Sequence, residues 1–221
     1  MREERRRSYG NIRLLEIYSE EPYDWEIKDA THLRVCLPSG YPNMAEMLKR
    51  GFFPADRVLD VSVNLVNSHR DFGGLVRTEP QYTTQDRDKV FAVAQKSFPT
   101  DRRFHLSPQP NPEISEPVIK AWVDELSGYY LCRHREDVMG FLSLSGEGER
   151  RFVHLAAVDE KYRPAGAALS LYAAAARDCK AGGIRLLNGC VSSKNTAVMN
   201  LYAFLGASFS NPTDVYLKEV L

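Results

Sequence analysis

Nothing in the 221 residues comes close to the run of ~20 apolar positions that a membrane-crossing helix needs. Net charge is also missing: Lys and Arg number 29, Asp and Glu also 29, and the formal charge is zero. A chain without an overall positive field is a poor partner for nucleic acid, although a local basic pocket for phosphates remains compatible. Cysteine is scarce and scattered. Cys36, Cys132, Cys179 and Cys190 form no C-x-x-C pair, which argues against a disulfide framework or a zinc site and leaves reduced core thiols and no metal as the expectation. The opening Met-Arg-Glu-Glu-Arg-Arg-Arg has no apolar stretch behind it and does not read as a secretory signal, so the expected compartment is the cytoplasm.

What is present suffices for a core. Apolar residues make up 43% of the chain, and the length suits about one to two domains of ordinary size. Residues 1–8 read as a mobile charged arm. Residues 9–80 read as a small α/β domain. Within it, Asn11 to Tyr18 and Leu33 to Leu37 are strands, separated by a turn signal at Glu20-Glu21-Pro22. Pro42-Asn43 precedes a helix, Met44 to Arg50, which stops at Gly51, and Arg57 to Leu65 alternates as a half-buried strand does. The larger domain spans residues 83–221. It opens with a helix, Gln85 to Ser97, for which Thr84 is the expected cap, and a loop through Arg103-Phe104-His105 to a proline-rich stretch. A second helix, Ser115 to Leu126, and a hairpin, Tyr129 to Arg133 with Val138 to Leu144, come next. The order helix, glycine, strand occurs twice: Met44 to Gly51 before the strand at residue 57, and Ala197 to Gly206 before Val215-Tyr216-Leu217. This is a hint that the first part is a partial copy of the second.

The stretch Phe152 to Ala168 is the one most suited to chemistry. Phe152 to Val158 is an apolar strand broken only by His154. Asp159-Glu160-Lys161 is a short polar link. Arg163-Pro164-Ala165-Gly166-Ala167-Ala168 then opens an alanine-rich helix, Ala165 to Ala181, which Gly182-Gly183 ends. A strand that turns through small residues into a helix N-terminus presents unpaired N–H groups and a positive dipole end, and small side chains let a phosphate approach the main chain. Alone, such a turn is equally an ordinary helix cap. A strand from Ile184 to Val191 and a helix starting near Asn195 follow. Asn195 and Tyr202 are seven residues apart and share a helix face.

These two segments resemble, in series, the signatures of the GNAT superfamily of N-acetyltransferases. Val158 followed by Arg163-x-x-Gly166-x-Ala168 is similar to the acetyl-CoA diphosphate loop. Asn195 through Ala197, Tyr202 and Gly206 is similar to the second signature, with the alanine one place early and Ala207 where that family has Phe. The resemblance implies an α/β (α+β) fold with a central, mixed, splayed sheet flanked by helices, preceded here by a smaller, partial GNAT-like domain. It implies acetyl-CoA as co-substrate, held by backbone groups at Ala156, Ala157 and Val158, by the turn from Arg163 to Ala168 including Pro164, Ala165 and Ala167, and by Asn195. It further implies direct attack of an amine on the thioester, without a covalent enzyme intermediate, and Tyr202 as the acid that protonates the departing sulfur. A core aromatic is the alternative role for Tyr202. His154 is a candidate base, equally a satisfied histidine on the sheet, and His105 is a second candidate.

Among GNAT enzymes the chain resembles the TDP-fucosamine acetyltransferases, which acetylate a nucleotide-linked amino sugar. That likeness implies a small-molecule amine acceptor whose diphosphate Arg102, Arg103 and His105 would hold and on which Phe104 would stack. A homodimer is compatible with all of this. The competing readings are a non-catalytic acyl-CoA-binding regulator and a protein or peptide N-acetyltransferase.

Overall fold

A computed structural model describes residues 2–20, 29–40, 44–98 and 101–220. The expected features at Glu21-Pro22, Pro42-Asn43 and Pro99-Thr100 lie outside these residues. The first strand, β1 (Glu3–Tyr9), turns at Gly10-Asn11, with Gly10 at φ 59°, and runs back antiparallel as β2 (Ile12–Tyr18). The arm expected at residues 1–8 is therefore a strand. Its side chains alternate in no readable way because it is an edge strand, with solvent on most of its length, and its charges discourage unwanted pairing. β3 (His32–Pro38) lies parallel to β2. α1 (Met44–Lys49) ends at Gly51, whose φ of 78° needs no side chain, and leads into β4 (Phe53–Asn64).

A short β5 (Gln81–Thr83) precedes α2 (Arg87–Ser97), whose cap is Asp86, not Thr84, in a left-handed conformation at φ 61°. α3 (Pro112–Asp124) starts earlier than expected because Asn111 caps it, its side chain accepting from Glu113 N at 3.0 Å, and Pro112 suits the first turn. The hairpin β6 (Tyr129–His134) and β7 (Asp137–Ser145) leads to β8 (Arg150–Val158). What reads as a polar link and helix start is a 3-10 helix, Glu160–Ala165, followed by α4 (Ala167–Ala181). β9 (Leu186–Ser192), α5 (Thr196–Phe204) and β10 (Ser208–Glu219) complete the chain.

All ten strands form one sheet in the order β1-β2-β3-β10-β4-β9-β8-β7-β6-β5, so the sheet runs without a break across the boundary expected near residue 80. β4, from the first third of the sequence, lies antiparallel between β9 and β10. The twice-occurring helix–glycine–strand units are α1–Gly51–β4 and α5–Gly206–β10. Each sends its outgoing strand to pair beside the strand that enters the other unit, β10 on β3 and β4 on β9. α4 and Tyr202 of α5 pack on one face of the sheet, over Val61, Leu142, Leu187 and Val191. α2 and α3 pack on the other, over Phe141, Leu155 and Ala157, and reach Tyr9 and Leu14 of the first hairpin.

Candidate active site

β8 and β9 run parallel but pair at only three positions, ending at Phe152 with Asn188. Beyond that point β8 continues beside β7 and β9 continues beside β4, so the sheet opens into a wedge. Which backbone groups face the wedge follows from the ladder. Asp159 N donates to Met139 O at 2.9 Å, so Val158 with Gly140, and Ala156 with Leu142, are the pairs that exchange no hydrogen bonds. Their main-chain groups point away from β7, into the opening. The Val158 carbonyl accepts from Ser97 Oγ at 3.2 Å. Ala157 differs from its expected role, because its backbone bonds to Phe141 in the ladder and its side chain is buried under α2 and α3.

Above the wedge, the chain crosses from β8 to α4. Gly166 is the N-cap of α4 at φ 75°, with no side chain capping the helix, so the first-turn amides of Ala167, Ala168 and Leu169 lack helical acceptors. Arg163, Pro164 and Ala165 lie in the exposed 3-10 helix that delivers the chain to this point. A second arginine is close. Arg77 Cδ lies 3.6 Å from where a Cβ on Gly166 would stand. Its segment is fastened to α4: the backbone N–H groups of Arg77 and Thr78 donate to the fully buried Ser170 Oγ at 3.1 and 3.2 Å. Arg77 and the exposed Arg163 thus lie next to a turn whose first amides have no helical acceptors. A diphosphate fits that set of donors in charge and reach.

Tyr202 comes up from α5 to the point where β8 and β9 part. It is 1% exposed, and its ring meets Tyr172 of α4 edge-on with centroids 5.2 Å apart. Gly189, the first β9 residue past the last pair with β8, has no side chain because the Tyr202 hydroxyl occupies the place of its Cβ, with Cζ 3.2 Å from that place. Burial, reinforced by Tyr172, holds the Tyr202 phenol well above its usual value of 10, so it is a proton donor at neutral pH. Asn195 does not face the wedge with a free oxygen: its Oδ1 accepts from Val198 N at 3.2 Å and caps α5.

The acetyltransferase (GNAT) family profile matches residues 89–207, more than half of the chain. The chain belongs to the GNAT family. Solved structures agree on the fold at low identity. A functionally unknown conserved protein from Staphylococcus epidermidis superposes with TM-score 0.67 at 12% identity, covering 87% of this chain and 74% of its own. A GCN5-related N-acetyltransferase from Sphaerobacter thermophilus gives 0.60 at 12%, covering 99% and 76%. A tandem GNAT protein from the clavulanic acid biosynthesis pathway gives 0.52 at 14%, covering 86% and 65%. No curated protein is similar enough in sequence to match.

On the face opposite Tyr202, this GNAT chain brings His154 to the wedge through a β-bulge. Ser143 pairs with Leu155 and Leu144 with Val153, which leaves His154 as the extra residue and turns it toward α3. There its ring stacks on Trp122, centroids 5.1 Å apart and planes 14° from parallel. Burial lowers the His154 pKa below the ordinary 6.5, Glu125 partly restores it, and Arg7 and Arg103 lower it further, so the ring is neutral at pH 7. Among the described residues of this GNAT chain, no group of three or more His, Cys, Asp or Glu could hold a metal ion, and no helix is long and apolar enough to cross a membrane.

The loop before α3 departs from its expected role as a diphosphate holder. Phe104 is fully buried between Phe98 and Trp122 and has no free face for an acceptor. His105 is 5% exposed, with Nε2 against Phe98 O at 2.8 Å, so it belongs to the core. Arg102 spends its donors on the carbonyls of Ser107 and Pro108. Arg103 remains at the opening, 39% exposed at its side chain, paired to Asp101 at 2.7 Å and lying over Phe98 and Phe104. The N-terminal strands hold this loop in place. Arg34 donates to the carbonyls of Arg102 and Arg103 at 3.0 and 2.6 Å while its other nitrogen pairs with buried Glu16 at 2.5 Å. Sequence reading missed Arg34, Arg77, Trp122 as the partner of His154, and Tyr172. Tyr172 had a signal, as the only aromatic in an alanine-rich helix.

Proposed function

We propose that the protein transfers an acetyl group from acetyl-CoA, the co-substrate of the GNAT family, to a primary amine of a small molecule. The observation that carries this reading is the alignment on one wedge of an amide-rich turn, outward-facing strand backbone and a protonated phenol. The diphosphate lies on the N–H groups of Ala167, Ala168 and Leu169 between Arg77 and Arg163. The pantetheine amides bond the open main chain of Ala156 and the Val158 N–H, which brings the thioester to the parting of β8 and β9. The amine enters from the α2–α3 face, where neutral His154 takes its proton, directly or through water. Nitrogen then bonds to the carbonyl carbon, the carbon–sulfur bond breaks, and Tyr202 returns a proton to sulfur. The Ala156 N–H can stabilise the oxygen as charge develops there. No covalent bond to the enzyme is needed. We read residues 9–80 as a partial, degenerate repeat of the same fold. A nucleotide-linked amino sugar is the narrower acceptor suggested by the sequence; buried Phe104 and His105 remove part of its support.

Thermal melting with and without acetyl-CoA tests the reading. A ligand at 100 times its dissociation constant raises stability by ~2.7 kcal/mol, and no shift at saturating acetyl-CoA overturns it. Arg77→Ala is expected to weaken CoA binding about tenfold, the value of one charge-assisted contact of ~1.4 kcal/mol, and to leave acetyl-pantetheine binding unchanged; calorimetry with both ligands checks it.

The pH profile follows from His154. Its folded pKa lies below its unfolded value, so the stability linked to it is present above pH ~6.5 and is lost as pH falls through the folded pKa. The neutral base is available over the same range. The acid limb of kcat/KM is therefore expected below pH 6.5, and His154→Gln is expected to remove that limb and lower the plateau about 100-fold.

A further inference from the structure

Among the described residues the His154 imidazole takes no hydrogen bond, and its ring contact is the stack on Trp122. A base of this kind is ordinarily aimed by a hydrogen bond to its second nitrogen. Here a flat stack, with planes 14° apart, sets the plane of the imidazole instead, so whatever fixes the indole fixes the base. Three groups fix it. The indole Nε1–H donates to the Tyr9 hydroxyl at 3.3 Å. The Arg7 guanidinium lies 5.5 Å from the ring centroid, within range of cation–π attraction. Phe104 meets the ring edge-on with centroids 5.4 Å apart. Arg7 and Tyr9 are two residues apart on β1 and so share the face that packs against α3. Arg7 is itself tied down: its Nε donates to the buried Glu16 of β2 at 3.2 Å, and its Nη1 lies 3.7 Å from Glu125, just past α3.

Resting on the acetyl-transfer reading, we infer that Trp122 is the positioning residue of the base His154, and that Arg7 and Tyr9 of the first hairpin hold it to that task. Both hairpin residues lie outside the segment 89–207 that the family profile matches, so the profile does not carry this part of the machinery. An indole released by Tyr9 and Arg7 is free to turn aside and take the imidazole with it. A misplacement of ~1 Å at reacting groups costs about 100-fold in rate. Arg7 also acts on the base through its charge. Burial is the largest influence holding the His154 pKa down, Glu125 opposes it, and Arg7 and Arg103 add to it. The groups acting on the stacked pair thus come from β1 (Arg7 and Tyr9), from the loop before α3 (Arg103) and from the residue after α3 (Glu125). Arg7 therefore keeps the imidazole unprotonated as well as in plane.

The test uses the full-length protein, following CoA release from acetyl-CoA with a panel of polyamines, amino alcohols and amino sugars. Trp122→Leu is expected to lower kcat ~10–100-fold with the KM for acetyl-CoA unchanged, and Trp122→Phe, which keeps a flat ring under the imidazole, to restore most of it. In a His154→Gln background the same Trp122→Leu change is expected to have no further effect on kcat. Arg7→Gln gives a second readout that needs no turnover. Glu16 keeps its bond to Arg34, so the hairpin holds, and the His154 pKa followed by imidazole NMR is expected to rise with the cation gone and Glu125 left unopposed. An equal loss of kcat from Trp122→Leu in both backgrounds, or an unchanged His154 pKa in folded Arg7→Gln, overturns the inference. A parent protein that binds no acetyl-CoA instead sinks the acetyl-transfer reading, and the NMR titration still decides whether Arg7 acts on His154.

Discussion

A chain from which residues 1–64 are deleted is expected not to fold, although it keeps the whole segment matched by the GNAT family profile. Past Phe152 and Asn188, β9 has no partner on its β8 side, and its other side is held by β4. Removing β4 leaves Gly189 to Ser192 unpaired on both edges and strips β10 of one neighbour. It also uncovers Val191, Leu187 and Tyr202, which pack with Val61 and Val63. Deleting a central strand removes several buried apolar side chains at ~1.5–3 kcal/mol each, against a total stability of ~5–15 kcal/mol. Circular dichroism is expected to show no cooperative melt for the deletion and a single cooperative melt for the full chain. Co-expression with a fragment carrying residues 1–66 is expected to restore solubility. An independently folded 65–221 chain would refute the dependence.

Tyr202→Phe is expected to lower kcat about 100-fold with little change in the KM for acetyl-CoA. The phenol is buried beside Gly189 with its proton retained, and its ring stays packed against Tyr172 after the hydroxyl is removed. Losing the hydroxyl leaves the edge-on ring contact with Tyr172 in place, so the variant folds, and the effect on turnover reads the proton donation alone. Steady-state kinetics together with a melting curve check it. Unchanged kcat in a folded Tyr202→Phe protein would assign Tyr202 to packing.

The proposed CoA side was legible in the sequence because its chemistry is local. A strand, a glycine at positive φ and a helix N-terminus lie within residues 152–168, and Tyr202 lies in the helix that Asn195 caps. The proposed acceptor side was less legible because it is assembled from distant segments. Arg34 reaches the loop before α3 from β3, one of whose two neighbours in the sheet, β10, is over 100 residues away, and no spacing along the chain encodes that pairing. Arg103-Phe104-His105 misled for a related reason: an Arg-Phe-His run in a loop looks exposed until α2, α3 and β8 close over Phe104 and His105. β1 failed as a strand because edge strands show solvent on both faces and lose their alternation.

The exchange of β4 and β10 between the two helix–glycine–strand units also sets a timetable for synthesis. β3, complete at Pro38, receives its neighbour β10 only when the last dozen described residues have been made, and β4 waits nearly as long for β9. Contacts so far apart in sequence close slowly, and open strand edges invite wrong partners in the meantime. The nascent chain therefore holds one edge of β3 and both edges of β4 uncommitted through most of translation. Slow refolding from denaturant and dependence on chaperones during expression are the behaviour to expect of such a chain.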